Sequence, residues 1–231
     1  MNMSMRIAGF ALFLALASLR TWAYPNFNAT TGILAVPTAE TVNAGDLSWA
    51  GDILFFDDTT FNGRVIYGLT DQLEVGAGVI VGSDTAIGVS AKYYTGLTIG
   101  GFACALGLTM ITGDQVGDGT QIYVAGTRPF GVQEENGTGL IGTVGVNFTG
   151  VEGSSAFRPF AGAQLRLDTA TEVAAEFVLE SGDWGDSIFS LLVRQRCSDR
   201  LTVQIGLTNA FGFTGTDNLD FFFGAAYTLG G

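Results

Sequence analysis

Hydrophobic and polar residues alternate at a period of two along much of the chain, most clearly between Ala156 and Cys197. The odd positions are apolar in Phe157–Leu167, in Val173–Leu179 and in Phe189–Val193. The even positions carry most of the charged residues of this region. Successive side chains leave opposite faces of a pleated backbone, so this pattern predicts three β-strands, each with one apolar and one polar face.

The middle segment, Thr171–Glu180, also permits a helical interpretation. Its glutamates are spaced four residues apart and would share one helix face, and Thr169–Glu172 resembles a capping box. Like charges at that spacing destabilise a helix by about 0.2–0.5 kcal/mol. The segments on either side have no helical period, which favours a strand.

Similar alternating segments follow one another from Gly45 to the end of the chain, separated by short clusters of turn residues. About twelve strands are expected, an even number that is typical of a bacterial outer-membrane barrel. The predicted strands are Asp46–Phe56, Phe61–Gly68, Leu73–Val81, Thr85–Tyr94, Leu97–Met110, Thr120–Phe130, Leu140–Thr149, Ala156–Leu167, Thr171–Glu180, Ser187–Cys197, Leu201–Asn209 and Leu219–Leu229.

The predicted connections alternate between short and longer ones. One set includes Thr95-Gly96 and Asp168–Ala170 and is mostly tight, whereas the other includes Thr112–Gly119 and Ala210–Asn218 and is rich in aspartate. Short periplasmic turns combined with longer external loops are the asymmetry of outer-membrane barrels.

The alternation alone does not decide which face is wet, because a soluble sandwich would bury the apolar face and a membrane barrel would turn it to lipid. The composition favours the barrel: 47% of residues are hydrophobic, 14% are charged and 34 are glycine. No apolar run after residue 20 reaches the roughly 18 residues of a spanning helix. Since only helices and closed barrels satisfy every backbone group in hydrocarbon, we predict an all-β, transmembrane, antiparallel up-and-down β-barrel of about twelve strands. A secreted soluble sandwich is the alternative.

Three regions are predicted along the chain. Residues 1–23 have the features of a cleaved signal peptide, with Arg6 before the apolar run Ile7–Leu19 and a small-residue cleavage site at Ala23. Residues 24–44 have no clear period and form an N-terminal segment that lies in the periplasm or in the barrel lumen. Residues 45–231 form the barrel. The expected location is the bacterial outer membrane, with its lipid and lipopolysaccharide as partners.

Hairpin closure predicts a ladder of charged side chains in the lumen. A turn at Asp168–Ala170 places Arg166 opposite Glu172, and the next hairpin places two further arginines beside Glu172. Cross-strand pairs of opposite charge contribute about 0.2–1 kcal/mol each. The predicted ladder consists of Arg158 (opposite Glu180), Arg166, Glu172, Glu176, Glu180, Arg194 and Arg196, with Arg64, Glu74 and Lys92 as further members.

Two roles for this ladder remain open. Opposed charges across a water-filled lumen would steer a polar solute, whereas paired and hydrogen-bonded charges would fill the lumen and stiffen the barrel. A barrel of about twelve strands lies between filled barrels of about eight strands and open ones of about sixteen, so its size permits either outcome.

The composition excludes several kinds of chemistry. The chain has no histidine, which rules out His-based catalytic triads and His–metal sites. Carboxylate pairs such as Asp57-Asp58 and Glu134-Glu135 are interpreted as solvated charge. The same interpretation is favoured for the loop residues Asp114, Asp118, Asp183 and Asp186, with weak binding of divalent cations between lipopolysaccharide phosphates as the alternative. We therefore predict no catalytic residue, metal or cofactor, and a protein that is not an enzyme. A net charge of −12 argues against nucleic-acid binding.

Two stretches carry a family resemblance. Thr31–Glu40, followed by Gly45-Asp46-Leu47, resembles the opening of the YjbH-like outer-membrane barrels that are linked to exopolysaccharide production, and Tyr67–Gly76 resembles a turn of the same group. The resemblance implies an envelope barrel that assists polysaccharide secretion, and it supplies no catalytic residues. The predicted function is a narrow passive channel for polysaccharide or small polar solutes, or an accessory to exopolysaccharide export. The alternative is a structural or surface-interaction barrel with a side-chain-filled lumen.

Overall fold

The computed structural model describes residues 24, 26, 29–55, 59–82, 85–113, 118–133, 138–151, 154–179, 187–209 and 220–230. Within these residues the chain forms twelve β-strands, which follow the alternating segments of the sequence. They are β1 (Leu47–Phe55), β2 (Thr59–Thr70), β3 (Leu73–Val81), β4 (Thr85–Ile99), β5 (Phe102–Gly113), β6 (Gly119–Gln133), β7 (Thr138–Val151), β8 (Ser154–Arg166), β9 (Thr171–Val178), β10 (Ile188–Arg196), β11 (Leu201–Thr208) and β12 (Asp220–Leu229).

Each strand pairs antiparallel with its neighbours in sequence, and β1 pairs with β12 to close the sheet. The prediction of a twelve-stranded up-and-down barrel is therefore confirmed. The helical alternative for Thr171–Glu180 is wrong, because Thr171–Val178 forms β9 between β8 and β10. Period-two burial along β9 and its cross-strand partners decided the conformation of this segment.

The predicted turn at Thr95-Gly96 is wrong. β4 continues to Ile99, with an irregularity of register between Tyr94 and Thr98 where Gly96 has a φ of +70°. The chain instead reverses at Gly100-Gly101, whose φ values are +60° and +87°. Two successive positive φ angles match the twist of antiparallel strands in a two-residue hairpin, which explains why adjacent glycines form the turn.

The apolar faces of the strands point outward. Phe177 and Leu191 are 41% and 43% exposed, whereas Glu176 and Arg194 on the adjacent positions are buried inside the barrel. Exposed large hydrophobic residues occur on all twelve strands, as on Trp49, Val65, Val81, Val89, Leu108, Val124, Val144, Phe157, Phe177, Leu191, Ile205 and Phe223. An apolar outer surface around a polar interior is the arrangement of a membrane barrel and contradicts the soluble-sandwich alternative.

Aromatic side chains pair at both ends of the seam between β1 and β12. The rings of Trp49 and Tyr227 lie 6.1 Å apart near one end, and those of Phe55 and Phe221 lie 5.8 Å apart at the other. Six residues separate the two levels, which is about 20 Å along a strand. Aromatic belts at two such levels are expected where a barrel wall meets the two membrane interfaces.

The two cysteines lie far apart on the barrel. Cys104 is half-buried in β5, and Cys197 is exposed immediately after β10. Both are free thiols. Among the described residues, no helix is long and apolar enough to cross a membrane.

Candidate functional site: the barrel lumen

Charged side chains point into the lumen because they occupy the face of each strand opposite to the apolar one. The described residues form four ion pairs there, and every participating side chain is at least nine-tenths buried. Glu172 accepts from Arg194 at 3.3 Å and lies 3.7 Å from Arg166, and Lys92 lies 3.0 Å from Glu74. Arg64 pairs with Asp52. In a low-dielectric interior an unpaired charge of this kind would be costly, so the pairing keeps the charged lumen compatible with a stable barrel.

The structure brings one group of the predicted ladder residues together. Arg166 and Arg194 both lie directly opposite Glu172, on β8 and β10 respectively. Gln164 completes the group by donating to Glu172 at 3.2 Å. The register deduced from the turn at Asp168–Ala170 accounts for the pair of Arg166 and Glu172, and the register of the next hairpin accounts for Arg194.

Two other predicted members occupy other positions on the wall. Arg158 is half-buried and faces Asn147 across β7 and β8, at a different level of the wall. Arg196 is half-buried at the end of β10, where it lies opposite Thr202 of β11. Its proximity to Glu172 stays a prediction. Glu180 lies outside the described residues.

Residues 24–44 are here called the lumen segment, because the described ones, 24, 26 and 29–44, include many that are buried inside the barrel and bonded to its inner wall. The segment folds back on itself through a bridge between Gly32 and Pro37. The amide of Ile33 donates to the carbonyl of Val36 at 2.9 Å and closes a tight turn. We call Ile33–Val36 the lumen turn; three of its four residues are fully buried.

Glu176 on β9 binds the backbone of the lumen turn. The Oε2 atom accepts from the amides of Leu34 and Val36 at 3.1 and 2.9 Å, and the amide of Ala35 donates to both carboxylate oxygens, at 2.9 Å to Oε1 and 3.1 Å to Oε2. Three successive amides that converge on one anion form a concave anion-binding arrangement. Glu176 thus satisfies the backbone donors of the fully buried Leu34 and Val36.

Arg194 on β10 holds the other side of the turn. Its Nη2 donates to the carbonyl of Gly32 at 3.2 Å and also to that of Ile33, while its Nε donates to Gln204 at 3.1 Å. The guanidinium lies 4.5 Å from the ring centroid of Tyr24. Because Arg194 also pairs with Glu172, this fully buried side chain connects the barrel wall, the lumen turn and the start of the lumen segment.

Glu74 and Lys92 hold the segment at the opposite wall. Glu74 accepts from the amide and hydroxyl of Thr31 at 2.7 and 2.6 Å and from the amide of Val42 at 2.9 Å. Lys92 donates to the carbonyl of Thr31 at 2.9 Å, and Ser90 donates to that of Ala29 at 2.6 Å. The lumen segment therefore spans the interior from β3 and β4 to β9 and β10.

Apolar side chains of the lumen turn pack against an apolar patch on the inner wall. A side chain at Gly162 would overlap the Cδ1 atom of Ile33, so glycine at that position makes room for the turn. The patch lies on several strands and is almost completely buried. Its wall residues are Leu54, Tyr123, Ala125, Phe160, Ala174, Val178, Leu192 and Phe222.

Asp52 on β1 is a lumen residue that the sequence interpretation missed. It accepts from the hydroxyl of Tyr24 at 3.1 Å and from Gln204 at 2.8 Å, in addition to its pairing with Arg64. The alternation along β1 contains the necessary signal, because Asp52 shares its face with the inward-pointing Ala50.

Glu40, which lies in the lumen segment outside the strands, is not paired in the same way. Burial raises the pKa of its carboxyl above the usual value, and the charge on Glu172 adds to the increase. Arg166, Lys92 and Arg194 oppose this shift only in part. Docking of the segment therefore disfavours ionisation of Glu40.

The described residues contain no group of three or more histidine, cysteine or carboxylate side chains that could hold a metal ion. The loop positions Asp114, Asp183 and Asp186, and the pairs Asp57-Asp58 and Glu134-Glu135, lie outside the described residues. The arrangement in the lumen is thus one of paired charges and bound backbone.

Comparison with solved structures agrees with this architecture. A KdgM porin superposes with a TM-score of 0.63 at 10% identity, over 79% of this chain and 98% of the porin. The chain has the fold of an outer-membrane porin barrel. A KdgM porin in complex with disordered oligogalacturonate gives a TM-score of 0.60 at 10% identity, over 79% of this chain and 98% of that one. A NanC porin gives 0.58 at 10% identity, over 79% and 100%.

In the sequence comparisons, no protein family and no curated protein matches the chain. The porin barrel fold thus rests on structural similarity. The resemblance of Thr31–Glu40 and Tyr67–Gly76 to YjbH-like barrels stays a prediction. In the structure both stretches meet in the lumen, where Thr31 binds Glu74.

Proposed function

We propose that this protein is a non-enzymatic barrel of the bacterial outer membrane that acts as a narrow passive channel and is held closed by its own N-terminal segment. A signal peptide at residues 1–23 would direct its export. The observation that carries the proposal is the docking of the lumen turn between Glu176 and Arg194. A barrel wall with an apolar exterior and a charged interior supports passage of polar solutes, and the docked segment supports a closed state.

The mode of attachment supports a segment that can leave the lumen. Many backbone groups in Ala29–Ala39 bond to other residues of the lumen segment or to side chains of the wall, as in the bonds to Glu74, Glu176 and Arg194. Contacts made by side chains of the wall can break and release the segment while the backbone hydrogen bonds between the barrel strands stay intact. A twelve-stranded wall also encloses more space than an eight-stranded one, whose interior side chains alone fill.

A further proposal concerns the class of solute that passes through the channel. One of the similar porins is described as a complex with oligogalacturonate, a charged oligosaccharide. A lumen that carries both signs of charge is suited to polysaccharide or small polar solutes. The resemblance to YjbH-like barrels supports an accessory role in exopolysaccharide export, which would use the same passage.

Planar-bilayer recordings test the channel proposal. Leu34→Asp places a carboxylate in the apolar patch and close to Glu176, so it should undock the lumen turn and raise the conductance. Thr41→Asp adds the same charge to the segment at a half-buried position outside the turn and is the matched control. We expect a small conductance for the wild-type protein and for Thr41→Asp, and a larger, salt-dependent one for Leu34→Asp. Equal conductance of all three proteins would contradict the proposal.

A structural barrel with a filled lumen is the second candidate, and the four buried ion pairs favour it. In that case Leu34→Asp should lower the thermal stability of the detergent-solubilised barrel without any gain in conductance. The two candidates therefore differ in the conductance of one variant.

A further inference from the structure

Charged side chains of the wall bind residues 31–36 mainly through the peptide backbone. Glu176 accepts from three successive amides, Arg194 donates to two successive carbonyls, and Lys92 donates to a third carbonyl. Contacts of this kind recognise any polypeptide with the same turn. They do not depend on the side chains of the residues that supply the amides and carbonyls.

Selectivity comes from the apolar patch beside these clamps. The side chains of Ile33, Leu34 and Val36 fill it, and Gly162 leaves space for the first of them. A ligand for this site therefore needs amide donors for Glu176, carbonyl acceptors for Arg194 and two or three aliphatic side chains. A free sugar or a simple ion offers no such combination.

We infer that the lumen contains a peptide-binding site in which residues 31–36 are a tethered occupant, and that an incoming turn-forming peptide with aliphatic residues takes the same place when the tethered one leaves. The inference goes beyond channel activity because it concerns exchange at the site. A tethered occupant has an effective concentration in the millimolar range, so it excludes a free peptide until its own docking is weakened.

The test uses full-length protein in detergent and a fluorescently labelled peptide with the sequence of residues 31–38, followed by fluorescence anisotropy. Leu34→Asp weakens the tethered turn and leaves every wall residue unchanged, and Thr41→Asp is its control. We expect saturable binding of the peptide to Leu34→Asp, and at least tenfold weaker binding to the wild-type protein and to Thr41→Asp. A peptide that carries aspartate at the position of Leu34 should not bind.

A second variant tests whether the peptide binds at the site of the lumen turn. Adding Glu176→Gln to Leu34→Asp should weaken peptide binding at least tenfold, while heat-dependent gel mobility reports that the barrel is folded. Absence of saturable binding to a folded Leu34→Asp barrel, or binding that Glu176→Gln does not change, would overturn the inference. Peptide binding without a conductance increase would instead contradict the channel proposal, so the two failures can be told apart.

Discussion

Replacing Glu176 with glutamine should selectively loosen the lumen turn. The substitution preserves the size of the side chain and removes its charge. An amide oxygen at the Oε2 position can still accept from Leu34, Ala35 and Val36, but the new NH2 group at the Oε1 position faces the amide of Ala35 and cannot accept from it. The barrel strands keep all of their own hydrogen bonds.

The size of the effect follows from the three amides that Glu176 binds. Hydrogen bonds to a charged group contribute about 1.5–3 kcal/mol and neutral ones about 0.5–1.5 kcal/mol, so removing the charge should cost about 1–1.5 kcal/mol per amide and about 3–4.5 kcal/mol for the three. Since each 1.4 kcal/mol is a factor of ten, the open population of the turn should rise roughly 140- to 1,600-fold.

Hydrogen–deuterium exchange measures this opening directly, because the amides of a locally opened segment exchange in proportion to its open population. We expect the fragment that contains Leu34, Ala35 and Val36 to lose protection by this factor in Glu176→Gln, with unchanged protection in the strands. Glu172→Gln is the matched control, because it makes the same charge change at a lumen carboxylate whose partners Gln164, Arg166 and Arg194 all belong to the wall. Unchanged exchange of the turn in Glu176→Gln, or a uniform increase over the whole barrel, would refute the reasoning.

Three further predictions concern the docking and the barrel wall. Gly76→Ala should undock the segment and raise its protease sensitivity, because a Cβ atom at this position would overlap the carbonyl oxygen of Ala29. Gly78→Ala is the control and should leave protease sensitivity unchanged, because the atoms nearest to its new Cβ would lie 3.5 Å away. Arg194→Met should lower barrel stability by about 3–5 kcal/mol in thermal or denaturant unfolding, because it leaves Glu172 with one fewer buried cation, and a loss below about 1 kcal/mol would show that the pairing is unimportant. The amides of Ala170 and Thr171 donate to Asp168 and hold its pKa below the usual value. The ionised carboxylate therefore stabilises the folded barrel above the unfolded-state pKa, and this stabilisation is lost as the pH falls through the folded-state pKa. Asp168→Ala should therefore lower the melting temperature at neutral pH, and equal differences at neutral and strongly acidic pH would contradict this.

The burial of Glu40 leads to a fifth prediction with the opposite sign. Because burial raises the pKa of this carboxyl, its docked form resists ionisation, and docking should weaken as the pH rises through the folded-state pKa. Glu40→Gln should strengthen the protection of the lumen segment from hydrogen exchange at neutral pH and should remove this pH dependence. A decrease in protection at neutral pH would show that the ionised form is the docked one.

The sequence was sufficient to predict the wall of the barrel. Alternation at a period of two predicted β8, β9 and β10 and their inward charges, because a strand that is wet on one face and apolar on the other must alternate. Hairpin closure then placed Arg166 and Arg194 beside Glu172, since the register of neighbouring strands follows from a short turn. The β4–β5 turn was misplaced because Gly96 can form either a turn or a bulge, and only pairing with the neighbouring strand decides between them.

The lumen contacts could not be predicted in the same way. Leu34 and Glu176 are 142 positions apart, and the hydrogen bond between them involves a backbone amide, which every residue except proline possesses. No periodicity marks residues 24–44, so the sequence left the periplasm and the lumen as equal alternatives. Local pattern determines which way a strand faces, whereas the occupant of the enclosed space depends on contacts between distant parts of the chain.

The location of the lumen segment can be tested most directly by a disulfide cross-link in intact outer membranes. A Cβ atom at Gly78 would lie 3.6 Å from that of Ala29, within the usual range of about 3.5–4.5 Å for a disulfide. With Cys104 and Cys197 replaced by serine, Ala29→Cys combined with Gly78→Cys should form the cross-link on mild oxidation. Ala29→Cys combined with Gly88→Cys should not, because no atom of the described part of the segment, Ala29 included, lies within 4 Å of the Cβ position at Gly88. Cross-linking of the first pair alone is the predicted result, and two unlinked pairs in a folded barrel would contradict a segment docked in the lumen.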